Sequence, residues 1–293
     1  MKKVYIDYKK MMHERTELLK ELLLKKESEG LHCKFIRKLN KYLQLIKIES
    51  YIRFIYDIIK SIFFWSLSHL YHGYGLKEHK KVVLIFYNLW RTHKIDFIEF
   101  YKQAIFPLDS VRYFEFDVFY QQLNKQLNRI SNKHTMISYL DVSSPRLLFT
   151  ILLYENNNVQ AHIVNPDKND LELSKNLLDK LDLYNRCIFS DELIENFNFQ
   201  DESFDVITCM SVIEHIPGDK DKQAIEKLWK LIKHGGSLMI SVPVCSVAYE
   251  EYINYFDYGL YKTNGEYTFG QRFYDKQMIN DRIITICTNP EVV

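Results

Sequence analysis

The sequence predicts an α/β protein, a doubly wound, mainly parallel sheet over residues 106–293 with an N-terminal helical subdomain over residues 1–105. Three observations predict it. From about residue 106, short apolar runs alternate with amphipathic stretches of helical length, the pattern of strand–helix–strand units. Before that point apolar residues recur at helical spacing, as in Leu18, Leu19, Leu22 and Leu23, then Leu43, Ile46, Tyr51, Ile52 and Ile55, without strand-like alternation. The charge divides in a similar way: residues 1–130 carry 24 Lys and Arg against 14 Asp and Glu, and residues 131–293 carry 15 against 24.

Taken in order, the strands fall at residues 136–142, 159–164, 186–189, 204–210 and 237–242, with helices at 147–155, 170–183 and 220–233 between them. Gly235-Gly236 ends the last of these helices and turns the chain into the next strand. A further strand is expected at 283–287. Strand–helix–strand crossovers are right-handed, and in such sheets ligands lie beyond the carboxyl ends of the strands. The residues just past each strand are therefore the candidates for function.

Composition narrows the function classes. Of 293 residues 47% are hydrophobic, with 21 Tyr and 19 Phe against 9 Gly and 6 Pro, which excludes collagen-like and disordered chains. A net charge of +1 gives no reason to expect nucleic acid as a partner. Cys33, Cys187, Cys209, Cys245 and Cys287 are scattered without a CxxC pair, so neither a metal site nor a disulfide framework is expected. The opening MKKVYIDYKK lacks the apolar stretch of a secretory signal. The uncharged run 61–76 is shorter than the ~20 residues a membrane span needs, so a cytoplasmic protein is expected. Residues 35–70 combine apolar stripes with Arg37, Lys38, Lys41, Lys47, Arg53 and Lys60. Two readings stay open: a solvated helical face, or a basic amphipathic surface in peripheral contact with a membrane or acidic partner.

After the first strand stands Asp141-Val142-Ser143-Ser144-Pro145-Arg146, in which Ser144 reads as a helix N-cap with proline at the first helical position. No glycine lies between Gly75 and Gly218, so a Gly-rich phosphate cradle is absent. Asn165-Pro166-Asp167 follows the second strand, where a polar side chain can meet a ribose hydroxyl, although ordinary turn chemistry explains it equally. Asp191 follows the third, able to accept from an exocyclic amine or to cap a turn. The fourth is followed by Ser211-Val212-Ile213-Glu214-His215-Ile216-Pro217.

FDVITCMSVIEHIP followed by LIKHGGSLMISVP resembles the class I S-adenosylmethionine-dependent methyltransferases, with the FD strand, IEH turn, helix, Gly-Gly turn and Val-Pro strand end in order. The resemblance covers roughly residues 106–293, and within it the chain looks most like type 11 members linked to surface polysaccharide synthesis. It implies a Rossmann-like fold and S-adenosylmethionine as cofactor, held by Asp141, Ser143, Ser144, Asn165, Asp191 and Ser211. Two departures stand out: the serines at 143 and 144 and Pro145 replace the glycines of the first loop, and Asn165 replaces an acidic ribose ligand. The resemblance further implies methyl transfer, to a hydroxyl as the expected acceptor, with His215 and Glu214 as catalytic candidates beyond the fourth strand. Arg112 and Glu115, three apart on a helix, share a face and are candidates for the acceptor together with Arg272 and Tyr274. Tyrosines from Tyr249 to Tyr274 suit a sugar or other small-molecule acceptor, or simply pack. The altered first loop leaves a second function open, a methyltransferase-like binding protein without catalysis. A nicotinamide-dependent oxidoreductase is weaker, because its glycine fingerprint is missing.

Overall fold

The computed structural model describes residues 1–6, 76–105, 110–131, 136–254, 267–288 and 290. The basic stretch 35–70 and residues 255–266 of the tyrosine-rich stretch 249–274 lie outside them. Five parallel strands form the central sheet: β2 (Ile137–Val142), β3 (Val159–Val164), β4 (Cys187–Ser190), β5 (Phe204–Met210) and β6 (Ile232–Ser241), in the order β4-β3-β2-β5-β6. The strand β5, FDVITCM, is buried at every position, as a central strand covered on both faces must be. Its register with β6 slips between Phe204 and Val206, where the Gly235-Gly236 turn enters the sheet.

The helices follow from their apolar spacing. α4 (Arg146–Glu155) is buried from Leu147 to Leu153 because it is sandwiched between the sheet and an outer helical layer. α5 (Lys168–Lys180) starts at Asp167, whose carboxylate accepts from the backbone N–H groups of Asn169 and Asp170. α6 (Lys220–Leu231) buries Ala224, Ile225, Leu228 and Leu231 along one stripe. The outer layer consists of α1 (Leu76–Arg91), α2 (Phe97–Ile105) and α3 (Ser110–Ser131). Val82, Ile85, Phe86 and Leu89 of α1 share one core with Phe116, Phe119 and Tyr120 of α3 and with Leu148 and Ile151 of α4. Packing therefore runs across residue 105, and α1 is built into the same core as the sheet domain.

A second, three-stranded sheet was not expected. β1 (Lys2–Ile6) pairs in parallel with β7 (Tyr249–Ile253), which pairs antiparallel with β8 (Thr268–Phe273). The expectation of helices alone before residue 105 is thus corrected at its first residues. The strand expected at 283–287 is also corrected. After α7 (Lys276–Arg282), residues Ile284–Ile286 form one 3₁₀ turn closed by the Cys287 N–H on the Ile284 carbonyl at 3.1 Å.

Candidate functional site

Strand order reverses between β2 and β5, since the chain runs outward through β3 and β4 on one side and to β6 on the other. The carboxyl ends of β2 and β5 therefore flank the crevice in which such a sheet receives ligands. Ser143 is the first residue past β2 and Ser211 the first past β5, and both have left-handed backbone, with φ of 49° and 53°. Serines here adopt the turn that glycine adopts at lower cost. The Ser143 hydroxyl folds away onto the Val164 carbonyl at 3.2 Å.

Ser144 corrects its expected role. Pro145 is the N-cap of α4 and no side chain caps that helix. The Ser144 hydroxyl is buried and accepts from the Met210 N–H at 3.1 Å, which bolts the two sides of the crevice together. The first-turn N–H groups of α4 consequently have no side-chain partner at the cap, an arrangement suited to an anionic ligand group.

Asp141 supports this loop from beneath. It is fully buried, and its Oδ1 accepts from the Ser144 N–H at 3.1 Å. Its Oδ2 meets the Tyr139 hydroxyl at 3.0 Å and the Thr208 hydroxyl at 2.8 Å, while those two hydroxyls lie 2.5 Å apart. Both hydroxyls donate to the carboxylate. Burial pushes the Asp141 carboxyl up to about 6 against the hydrogen bonds that oppose the shift. Burial also raises the Tyr139 hydroxyl well above its ordinary value, with the neighbouring Asp141 charge next in effect.

At the β3 end, Asn165 is buried and its amide is engaged locally. Nδ2 donates to Asp170 at 2.9 Å and Oδ1 accepts from the Asp167 N–H at 2.9 Å. Each group keeps one further hydrogen-bonding position. At the β4 end, Asp191 is exposed and pairs with Lys168 at 3.0 Å, which holds its carboxyl below the usual range.

At the β5 end the structure joins two candidates the sequence kept apart. Glu115 of α3 accepts through Oε1 from the Ser211 hydroxyl at 2.7 Å and from Ser241 at 2.9 Å. Ser241 was not anticipated; as the last residue of β6 it neighbours Met210 in register, the one signal that pointed to it. Arg112 lies on the same helix, but its side chain is outside the described residues. One turn further on, His215 Nδ1 stands 2.8 Å from the Gly270 carbonyl of β8. A carbonyl only accepts, so in the neutral ring Nδ1 carries the proton and Nε2 the lone pair. Glu214 points inward instead: it is buried, and after burial itself its charge is the next influence raising the Cys209 thiol.

Arg272 and Tyr274 are corrected as acceptor ligands, because both are fully buried. The Arg272 guanidinium donates to Asp221 at 2.6 Å, to Glu250 at 3.0 Å and to the Gly218 carbonyl at 2.9 Å, and Arg282 binds the same Asp221 carboxylate. These residues tie the second sheet to the loop that carries His215. Asp221, Glu250 and Arg282 had no motif to announce them. Among the described residues no group of three or more His, Cys, Asp and Glu is arranged to hold a metal ion.

Residues 140–240 match the family model described as a methyltransferase domain. The match spans about a third of the chain and falls on the five-stranded parallel sheet, and S-adenosylmethionine is the cofactor of that family. No curated protein matches the chain. Among solved structures it is similar to the [4+2]-cyclase SpnF, with 14% identity, a TM-score of 0.40 and coverage of 58% of this chain and 57% of that one. It is also similar to coclaurine N-methyltransferase bound to N-methylheliamine and S-adenosylhomocysteine, with 16% identity, a TM-score of 0.34 and coverage of 45% and 35%. A methyltransferase from Methanosarcina mazei gives 13% identity, a TM-score of 0.37 and coverage of 54% and 82%. The chain spans little more than half the length of the first of these, and nothing of their chemistry is carried over to it.

Proposed function

We propose that the protein transfers a methyl group from S-adenosylmethionine to a hydroxyl of a small-molecule or glycan-linked acceptor. The observation that carries this reading is the crevice between β2 and β5, walled by the left-handed turns at Ser143 and Ser211 and joined by the Ser144–Met210 bond. The residues fit the cofactor. The uncapped start of α4 suits its carboxylate, Asn165 keeps one donor and one acceptor position for a ribose diol, and Asp191 accepts from an exocyclic amine. Bound S-adenosylmethionine supplies an electrophilic methyl group on a sulfonium sulfur. Nε2 of His215, which holds the ring lone pair while Nδ1 donates to the Gly270 carbonyl, takes the proton of the acceptor hydroxyl, and positioned bases of this kind contribute roughly 10²–10⁴-fold. The Arg272–Asp221 network, which also reaches the Ile216 and Gly218 carbonyls, holds the His215 loop in place.

The serine-built first loop favours a second reading, a methyltransferase-like binding protein without catalysis. Calorimetry with S-adenosylmethionine, S-adenosylhomocysteine and NAD, followed by mass spectrometry of acceptors for an added methyl, separates the two. Heat with the first two ligands and a methylated product supports catalysis; heat without product supports the binding protein; heat with NAD alone ends both. We further propose a cytoplasmic protein with peripheral membrane contact through residues 35–70. Among the described residues no helix is long and apolar enough to cross a membrane.

A further inference from the structure

Glu115 reaches the crevice from outside the matched segment. It stands on α3, ahead of β2, yet its carboxylate is clasped by the hydroxyls of Ser211 and Ser241 at the carboxyl ends of β5 and β6. Those two serines are themselves joined, the Ser211 N–H donating to the Ser241 hydroxyl at 3.0 Å. The clasp thus fixes a formal negative charge within one turn of His215, on the segment 211–215 that borders the switch point.

We propose that Glu115 is the group that recognises the sulfonium charge of the methyl donor; the inference rests on the methyltransferase reading above. The donor is cationic at sulfur and the spent cofactor is neutral there, while both share the adenosine, the ammonium and the carboxylate. A carboxylate held at the carboxyl ends of β5 and β6, where the crevice receives its ligand, would select the charged donor and let the neutral product go. The same attraction favours the ground state, because the sulfur charge disperses as the methyl group leaves. Glu115 is on this account a specificity residue for donor over product, and its role in the chemical step is secondary.

The test is calorimetry of the full chain and of Glu115→Gln, with S-adenosylmethionine and S-adenosylhomocysteine as separate ligands at low ionic strength. Glutamine keeps an oxygen to accept from the two serines and removes only the charge. The expected result is a loss of about tenfold in affinity for the sulfonium ligand against less than about twofold for the thioether, with the gap narrowing as salt is added. Thermal melting without ligand verifies that the variant is folded. Equal losses for both ligands would overturn the inference, pointing to the shared ammonium or to a purely structural clasp, while leaving the methyltransferase reading in place. A wild-type chain that binds neither ligand overturns both together.

Discussion

Asp141, Tyr139 and Thr208 show how one proton bears on the loop that follows β2. The Asp141 carboxyl rises from 3.8 to about 6 because it is fully buried. A carboxyl raised on folding stabilises the fold below its unfolded pKa, and that contribution is lost as pH rises through the folded value. For Asp141 the window runs from about pH 4 to pH 6, and the shift corresponds to about 3 kcal/mol. Asp141→Asn cannot titrate. Urea unfolding at pH 4.5 and pH 7 should therefore show the stability of the wild type falling relative to the variant as pH rises. A difference that stays constant between the two pH values would mean that Asp141 is ionised throughout.

At the scale of elements, the irregular first half of β6 separates two adjacent glycines. A Cβ on Gly236 would come within 2.8 Å of the Asp205 carbonyl oxygen and 2.9 Å of that of Lys233, and backbone does not yield easily. Gly235 has φ of +76° but open space around it. Gly236→Ala should accordingly cost about 1–3 kcal/mol from overpacking, and Gly235→Ala about 1 kcal/mol from backbone strain. Thermal melts of the two variants should preserve that order, and a reversed order would place the constraint in conformation rather than space. The strands of the central sheet were legible because buried parallel strands read as continuous apolar runs, FDVITCM being the plainest. β7 and β8 were not legible, since their tyrosines and phenylalanines are half-exposed and suit a ligand wall as readily as a sheet. The run at 283–287 misled for the opposite reason. Its isoleucines have strand propensity, but among the described residues no strand pairs with them, and they pack instead as a helical turn against α6. In the site, Ser211 and Glu115 were found separately by position, whereas their meeting depended on tertiary packing. Arg272 was misjudged because an arginine in an aromatic stretch reads as a ligand residue until its burial is known.

On the scale of the whole molecule, the 24 basic against 14 acidic residues of the first 130 concentrate positive charge on one part of the chain. The described part of that region also exposes Tyr87, Trp90, Phe97 and Ile98 on α1 and α2. Basic residues near an anionic bilayer contribute about 1 kcal/mol each, and salt screens them. The protein should therefore co-sediment with phosphatidylserine vesicles at low salt, return to the supernatant at about 0.5 M salt, and ignore neutral vesicles. Equal recovery in the supernatant with and without anionic vesicles would leave the charge as a solvated face.

The parallel pairing of β1 with β7 sets an order of events in folding. Lys2 lies opposite Tyr249, and the remaining partner strand, β8, ends at Phe273. On a ribosome β1 is made before the five-stranded sheet and must wait for β7 and β8, which follow it, while that sheet can already close. The entropy of joining so distant segments falls entirely on this last step, and long-range strand pairing is slow for that reason. Refolding should then show a late phase belonging to the small sheet. Val4→Pro, which puts a proline in the middle of β1, should abolish or weaken that phase and leave the earlier one unchanged. A uniform slowing of every phase would instead make the two sheets one cooperative unit.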